Sequence, residues 1–173
     1  MKQVLKNVTL FNMQTEEDMK RIITLGAGEH KCSAYLAKPK TDKPGPAIIL
    51  IHEWWGLNDW VKQQADRFAA QGYVAIAPDL YHGEIAEDGE HAHELMRGLA
   101  DERALTDLKM AYAWLVKLNQ TEGKPIGAMG WCMGGGFALK LAIAKSSLAC
   151  TVVCYGKPVT DVDQLKKVKG PLL

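Results

Sequence analysis

Residues 126–136 read IGAMGWCMGGG, and their pattern is the strongest indication of fold in the sequence. An apolar run gives way to Gly-x-Cys-x-Gly, and a helical pattern follows from Phe137 to Lys145. Gly130 and Gly134 stand two residues before and two residues after Cys132, where a sharp strand-to-helix turn brings two backbones too close for larger side chains. The pattern therefore predicts a strand, a nucleophile elbow and a helix.

Such an elbow places the Cys132 sulfur at the N-terminus of a helix, above the carboxyl end of the sheet. The helix dipole favours a thiolate over a thiol at that position. The amide of Met133 would then face an oxyanion that develops on a substrate. The alternative interpretation is a glycine-rich turn that carries a buried structural cysteine. The motifs in the surrounding sequence distinguish this turn from a nucleophile elbow.

Strand and helix patterns alternate along the chain outside the elbow. Residues 47–51 and 73–77 are continuous apolar runs, which is typical of strands covered on both faces in a parallel sheet. Further strands are predicted at residues 21–24 and 31–37 as a hairpin and at residues 149–155, and helices at residues 58–72, 91–99, 105–118 and 161–167. This alternation predicts one α/β domain over residues 1–173, with a mostly parallel sheet flanked by helices.

The composition limits the classes of partner. The chain has 173 residues, of which 47% are hydrophobic, and a net charge of +1. Because the Lys and Arg residues are spread along the sequence, no basic patch indicates binding to nucleic acid or to a membrane surface. No run approaches the roughly 18 apolar residues of a membrane span, and no apolar signal core follows the N-terminus. We therefore expect a cytoplasmic protein whose partner is a small molecule.

The cysteine spacing predicts neither a metal site nor a cofactor. Cys32, Cys132, Cys150 and Cys154 show no paired-ligand spacing and no neighbouring His cluster. Cys150 and Cys154 stand in one predicted strand, about 13 Å apart and too far for a disulfide. We expect both to be buried and reduced.

Three segments at predicted strand ends should meet on one edge of the sheet. They are HEWWGLN at residues 52–58, PDLY at residues 78–81 and GWCMGG at residues 130–135. Together, in this order, these motifs resemble the dienelactone hydrolase family of α/β-hydrolases. The resemblance implies an α/β-hydrolase-type fold and hydrolysis of a small-molecule ester or lactone.

The resemblance also implies roles for individual residues. Cys132 would be the nucleophile that forms an acyl-enzyme, and the amides of Met133 and Trp54 would form the oxyanion hole. Glu53 would be the carboxylate that faces the thiol in the resting site, the alternative being a solvated loop residue. Trp55 and Tyr81, with Trp54, would wall the substrate pocket or serve only in packing.

Neighbouring polar residues are predicted to be structural. We expect His52 to bond backbone groups through its ring, and Asp79 to brace its loop. The other histidines lie in polar sequence and are predicted to face solvent: His30, His82, His91 and His93.

The sequence departs from the family pattern in two places. Family members that hold an anionic substrate carry an Arg two residues after the Tyr of the PDLY motif, and here that residue is Gly83. Family members also place an Asp and then a His after the nucleophile, whereas no His follows His93. We therefore expect a C-terminally incomplete domain that lacks the last strands of the sheet and the Asp and His of the triad.

An incomplete sheet would expose an edge at residues 149–155 or 170–173, and such an edge favours self-association. The sequence is also compatible with two functions other than hydrolysis. One is a non-catalytic protein that uses the α/β-hydrolase scaffold for binding or assembly. The other is a redox role for Cys132, which the lack of a nearby resolving cysteine disfavours.

Overall fold

The computed structural model describes residues 20–28, 30–41 and 43–173. Within these residues, six strands form one sheet: β1 (Lys20–Ala27), β2 (His30–Ala37), β3 (Ala47–Ile51), β4 (Val74–Pro78), β5 (Ile126–Trp131) and β6 (Thr151–Cys154). The strand order is β1-β2-β4-β3-β5-β6. Pairing is parallel between β4 and β3, β3 and β5, and β5 and β6, and it is antiparallel in the N-terminal hairpin and between β2 and β4. The predicted mostly parallel α/β sheet is confirmed.

The helices of the described residues are α1 (Asp59–Ala70), α2 (Gly89–Gly98), α3 (Asp101–Lys117), α4 (Met133–Ala144) and α5 (Val162–Leu165), with a short 3-10 helix at Asn119–Thr121. Their boundaries follow local signals. The Asn58 side chain accepts a hydrogen bond from the Val61 amide at 3.2 Å and so caps α1, as predicted. Gly72, at φ +92°, follows the end of that helix. None of these helices is both long and apolar enough to cross a membrane.

The core lies on both faces of the sheet, because alternate residues of a strand point to opposite sides. In β3, Ile49 and Ile51 pack against α3 and α4, whereas Ile48 and Leu50 pack against α1. All five residues of this strand are buried. The continuous apolar run at residues 47–51 therefore has the physical origin that the sequence predicts, a strand covered on both faces.

The edge of the sheet beside β6 differs from the prediction at residue level. The strand begins at Thr151, so Cys150 precedes it and is exposed, while Cys154 is half-buried. The prediction that both thiols are buried is wrong, because this end of β6 lies at the margin of the sheet. Leu173 donates its amide to the Thr151 carbonyl at 3.0 Å, and an isolated parallel bridge joins Thr151 to Leu172, so residues 171–173 run parallel to β6.

Candidate functional site

The elbow, residues 130–134, joins β5 to α4 as the sequence predicts. Cys132 has φ +52° and ψ −118°, a backbone conformation that side-chain-bearing residues rarely adopt. Its amide donates to the Cys154 carbonyl at 2.9 Å, which anchors the turn to β6. The side chain is half-buried. Met133 is the first residue of α4, where amides have no partner within the helix and are available to an anion.

Close backbone packing explains the two glycines of the motif. A Cβ atom on Gly130 would lie less than 3.0 Å from the Gly134 carbonyl oxygen. A Cβ atom on Gly134 would lie less than 3.0 Å from the carbonyl oxygens of Ile51 and His52, at the end of β3. The elbow therefore contacts the start of the segment that carries Glu53 and Trp54.

His52 supports this segment from inside the fold. It is fully buried, its Nδ1 lies 2.6 Å from the Glu53 carbonyl oxygen, and its Nε2 accepts the Leu80 amide at 3.1 Å. These partners fix a neutral ring with the proton on Nδ1, and burial lowers the pKa of His52. The predicted structural role of His52 is confirmed.

Glu53 is half-buried and has a partner that the sequence did not predict. The Tyr155 hydroxyl donates a hydrogen bond to Glu53 Oε1 at 2.7 Å. This hydrogen bond is the main cause that raises the pKa of Tyr155 to about 12, although the residue is 69% exposed; burial and the negative charges of Glu53 and Cys132 add to it. Tyr155 directly follows β6, at the carboxyl edge where the other site residues lie. Its position at a strand end is the signal that could have found it.

The two tryptophans form an aromatic surface beside Glu53. The rings of Trp54 and Trp55 meet edge to face at 5.2 Å between centroids. His93, on α2, packs against Trp54 at 4.8 Å, so this exposed histidine contacts the site as well as solvent. The roles predicted for Trp54 in the oxyanion hole and for Trp55 in the pocket wall stay predictions.

Tyr81 is buried and reaches the elbow. Its hydroxyl donates to Met133 Sδ at 3.4 Å, and its ring meets His52 edge to face at 5.0 Å. Burial is the main cause that raises the pKa of Tyr81 to about 12, and the negative charge of Cys132 adds to it. The structure thus brings Tyr81, Met133 and Cys132 together, as the convergence of strand ends predicts.

The Asp79 loop, residues 79–83, is held by its first side chain. Asp79 Oδ1 accepts the Tyr81 amide at 3.2 Å, and Oδ2 accepts the Gly83 amide at 2.7 Å. The predicted bracing role of Asp79 is confirmed. Gly83 has φ +109°, a conformation that favours glycine. Gly83, where the resemblance implies an Arg in members that hold an anionic substrate, is therefore a residue that the backbone of this loop favours.

Two cavities flank these residues. One, of about 380 Å³, is lined by Met133, by apolar residues that include Phe137, and by three charged residues, Asp101, Lys140 and Lys157. The other, of about 310 Å³, is lined by Tyr81 and by polar residues. Among the described residues that line these two cavities, neither Trp54 nor Trp55 is present.

Comparison with known proteins agrees with this geometry. The model of the dienelactone hydrolase family matches residues 32–173. Protein usf of Aquifex pyrophilus is 35% identical over 150 residues, which cover 82% of this chain and 64% of that protein. A protein of Saccharolobus solfataricus, provisionally named a carboxymethylenebutenolidase, is 33% identical over 183 residues, which cover 83% of this chain and 68% of that protein. The chain spans about two thirds of the length of these relatives.

A solved structure supports the same assignment. The protein named m3DLH superposes with a TM-score of 0.78 and 26% identity, over 88% of this chain and 66% of that chain. The family match covers the elbow, the Asp79 loop and the segment after β3 in one continuous range. This chain therefore belongs to the dienelactone hydrolase family of hydrolases.

Proposed function

We propose that this chain carries the nucleophilic half of an ester or lactone hydrolase, with Cys132 as the nucleophile. The observation that carries the proposal is the strained conformation of Cys132 at the elbow, φ +52°. A non-glycine residue is held in such a conformation only when its surroundings enforce it, and this commonly occurs at functional sites. The half-buried thiol also distinguishes Cys132 from the fully buried Cys32.

The reaction begins when the Cys132 thiolate attacks the carbonyl carbon of the substrate. A carbon–sulfur bond forms, and the carbonyl electron pair moves to an oxyanion that the amides of Met133 and Trp54 stabilise. The carbon–oxygen bond to the leaving group then breaks, and the departing alkoxide takes a proton. Water later attacks the thioester, releasing the acid and the Cys132 thiol.

Proton transfer limits what the 173 residues do alone. A positioned His commonly protonates the leaving group and activates water near neutral pH, and no His follows His93 in this sequence. An activated ester such as p-nitrophenyl acetate needs no proton on its leaving group. We therefore expect at most a stoichiometric burst of p-nitrophenol, with turnover restored by a C-terminal extension that supplies an Asp and a His.

The burst experiment needs one background substitution, because Cys150 is exposed and can react directly with the ester. In a Cys150→Ser chain, we expect about one equivalent of p-nitrophenol per chain, and Cys132→Ser should remove it. Sustained turnover that survives Cys132→Ala would show that the chemistry lies elsewhere. A folded chain that gives no burst but binds ligands would favour the alternative, a non-catalytic binding or assembly protein.

We propose Tyr155 as a positioning residue for Glu53. Its hydroxyl holds one carboxylate oxygen, and Tyr155 directly follows Cys154, whose carbonyl accepts the Cys132 amide at 2.9 Å. In Tyr155→Phe, the carboxylate loses this hydrogen bond and moves more freely near the thiol that the family resemblance places opposite it, where a second negative charge disfavours the thiolate. The pH dependence of Cys132 alkylation by iodoacetamide should shift to higher pH in the Cys150→Ser background.

Tyr112→Phe is the matched control, because Tyr112 donates its hydrogen bond to Ser147 at 2.7 Å instead of to a site residue. Its alkylation profile should equal that of the parent chain. An unchanged profile in Tyr155→Phe, with Cys132 identified as the alkylated residue by peptide mapping, would remove the positioning role.

We propose that the substrate is a small ester or lactone. The cavity beside Met133 is lined by apolar residues and by Asp101, Lys140 and Lys157, so it offers cations although Gly83 stands where anion-binding family members carry an Arg. Tyr81 and Trp55 stay our candidates for substrate contact. The cytoplasmic location and self-association through the edge of the sheet also stay predictions, and light scattering at high micromolar concentration tests the second.

A further inference from the structure

A second group of reactive side chains lies away from the elbow, where three elements meet. Cys32 on β2, His82 in the Asp79 loop and Asp107 on α3 each offer one ligand atom, and these atoms lie within 4.8 Å of one another. His82 Nε2 is 2.9 Å from Asp107 Oδ2. Cys32 and Asp107 are 1% and 3% exposed, whereas the His82 side chain is 34% exposed. The prediction that His82 simply faces solvent is therefore incomplete.

A cysteine, a histidine and a carboxylate are also the components of a catalytic triad, but burial excludes that role here. The Cys32 thiol lies 3.1 Å from the Ser33 carbonyl oxygen and 3.5 Å from that of Asp79. A nucleophile must reach its substrate, and a sulfur enclosed by backbone does not. A ligand bound between the three side chains, in contrast, needs no access for a substrate.

The ligand chemistry fits a zinc ion. Thiolate sulfur, imidazole nitrogen and carboxylate oxygen bind Zn²⁺ at about 2.0–2.3 Å, which places tetrahedral ligand atoms about 3.5 Å apart. The ligand atoms of His82 and Asp107 would separate by about half an ångström, and the sulfur would need to approach them by about 1.3 Å at most. Shifts of this size need only small side-chain rotations.

The charges also balance. A Cys32 thiolate and the Asp107 carboxylate together carry two negative charges, and both side chains are buried. One Zn²⁺ ion between them would neutralise these charges. The ion forms a bond to sulfur and displaces the thiol proton to solvent. His82, on the exposed side, leaves a fourth position that water can occupy.

We propose that Cys32, His82 and Asp107 form a zinc-binding site that joins β2, the Asp79 loop and α3. The cysteine spacing could not predict this site, because each ligand comes from a different element. Through Tyr81, which belongs to the same loop and contacts Met133, the ion would also steady one wall of the elbow.

Cobalt substitution tests the site directly, since Co²⁺ adopts the zinc geometry and its bond to sulfur gives a charge-transfer absorption band. In a chain with Cys132→Ser, Cys150→Ser and Cys154→Ser, Cys32 is the sole remaining thiol of the four in the sequence. We expect the metal-free protein to gain the sulfur-to-cobalt band with one equivalent of Co²⁺, and Zn²⁺ to remove it. Zn²⁺ should also raise the melting temperature.

Two histidine variants separate this site from adventitious binding. His82→Gln should weaken cobalt and zinc affinity by about 100-fold or more, as loss of a ligand does. His91→Gln is the matched control, because its side chain is 33% exposed, close to the 34% of His82, yet it lies outside the cluster. Its affinity should not change.

The proposal is overturned if no sulfur-to-cobalt band forms, or if the band and affinity are the same in His82→Gln. Circular dichroism establishes that each variant is folded. If the chain without the other three thiols does not fold, zinc titration calorimetry of His82→Gln and His91→Gln in the unsubstituted chain gives the same decision, with equal affinities counting against the site.

Discussion

The elbow and the Asp79 loop each hold a non-glycine residue in a left-handed conformation, but they do so by different means. Cys132 has φ +52° and His82 has φ +54°. In the elbow, backbone packing at Gly130 and Gly134 leaves the turn no alternative path. In the loop, Asp79 holds the amides on either side of His82. Similar strain is thus imposed by steric exclusion in one region and by buried hydrogen bonds in the other.

The largest effect should come from adding one carbon atom to the elbow. In Gly134→Ala, the new Cβ meets the carbonyl oxygens of Ile51 and His52, which belong to backbone and cannot rotate away. We expect a loss of about 3 kcal/mol or more in the free energy of unfolding, measured by urea denaturation. Gly98→Ala is the control, because nothing lies within 4 Å of its Cβ position. Equal stability of the two variants would contradict the packing explanation.

A smaller loss should follow when the Asp79 loop keeps its shape but loses an acceptor. In Asp79→Asn, one carboxylate oxygen becomes an NH₂ group that faces the amide of Tyr81 or Gly83. We expect a loss of about 2 kcal/mol in unfolding free energy, since a buried amide is left without its acceptor. Asp59→Asn, at an 87% exposed side chain, should change it by less than about 0.5 kcal/mol. A smaller loss in Asp79→Asn than in the control would show that the loop is held by other contacts.

Acid should loosen the loop and leave the elbow packing intact. His52 accepts the Leu80 amide through Nε2, and protonation would place two donors against each other. Because burial lowers its pKa below 6.5, the unfolded chain binds more protons as the pH falls below that value. Stability is therefore present above pH 6.5 and is lost below it, by at most about 1.4 kcal/mol per pH unit for one proton.

Urea denaturation between about pH 7.5 and pH 5.5 measures this slope. His52→Gln, which keeps an acceptor and cannot be protonated, should flatten it, whereas His30→Gln, at an exposed position, should not. A slope that is the same in both variants would assign the acid sensitivity to another group.

The smallest effect concerns the backbone of the elbow at Cys132. At φ +52°, alanine is strained and glycine is not. We expect Cys132→Gly to be more stable than Cys132→Ala by about 1 kcal/mol, in the same urea measurement. If the alanine variant is as stable as the glycine variant, the elbow carries no backbone strain, and the main support for the catalytic role of Cys132 is lost.

Sequence patterns predicted those structural features that depend on interactions between residues close together in the chain. The apolar run of β3, the cap at Asn58 and the glycines of the elbow each depend on neighbours within a few residues. The structural roles of His52 and Asp79 also followed, since a polar side chain at a strand end has backbone groups within reach. These features could be predicted because short-range sterics and hydrogen bonding fix them.

The remaining features depend on contacts between distant segments. The sequence could place Tyr155 at a strand end, but its hydrogen bond to Glu53, 102 positions away, could not be predicted. The approach of Cys32 to the pair of His82 and Asp107 depends on how β2 and α3 pack. The exposure of Cys150 depends on where β6 begins at the margin of the sheet. Each required the tertiary arrangement.

The conformation of Gly83 has a consequence for redesigning substrate preference. An engineer who wants this scaffold to accept carboxylate-bearing lactones would first restore an arginine at position 83. The backbone of that arginine would have to adopt φ +109°, which would lower the free energy of unfolding by about 1–3 kcal/mol. Glu84 lines the cavity that Tyr81 and Arg103 also line, and it has no positive φ, so Glu84→Arg adds a second cation there without this strain. The backbone of the loop thus directs selectivity engineering to the neighbouring position.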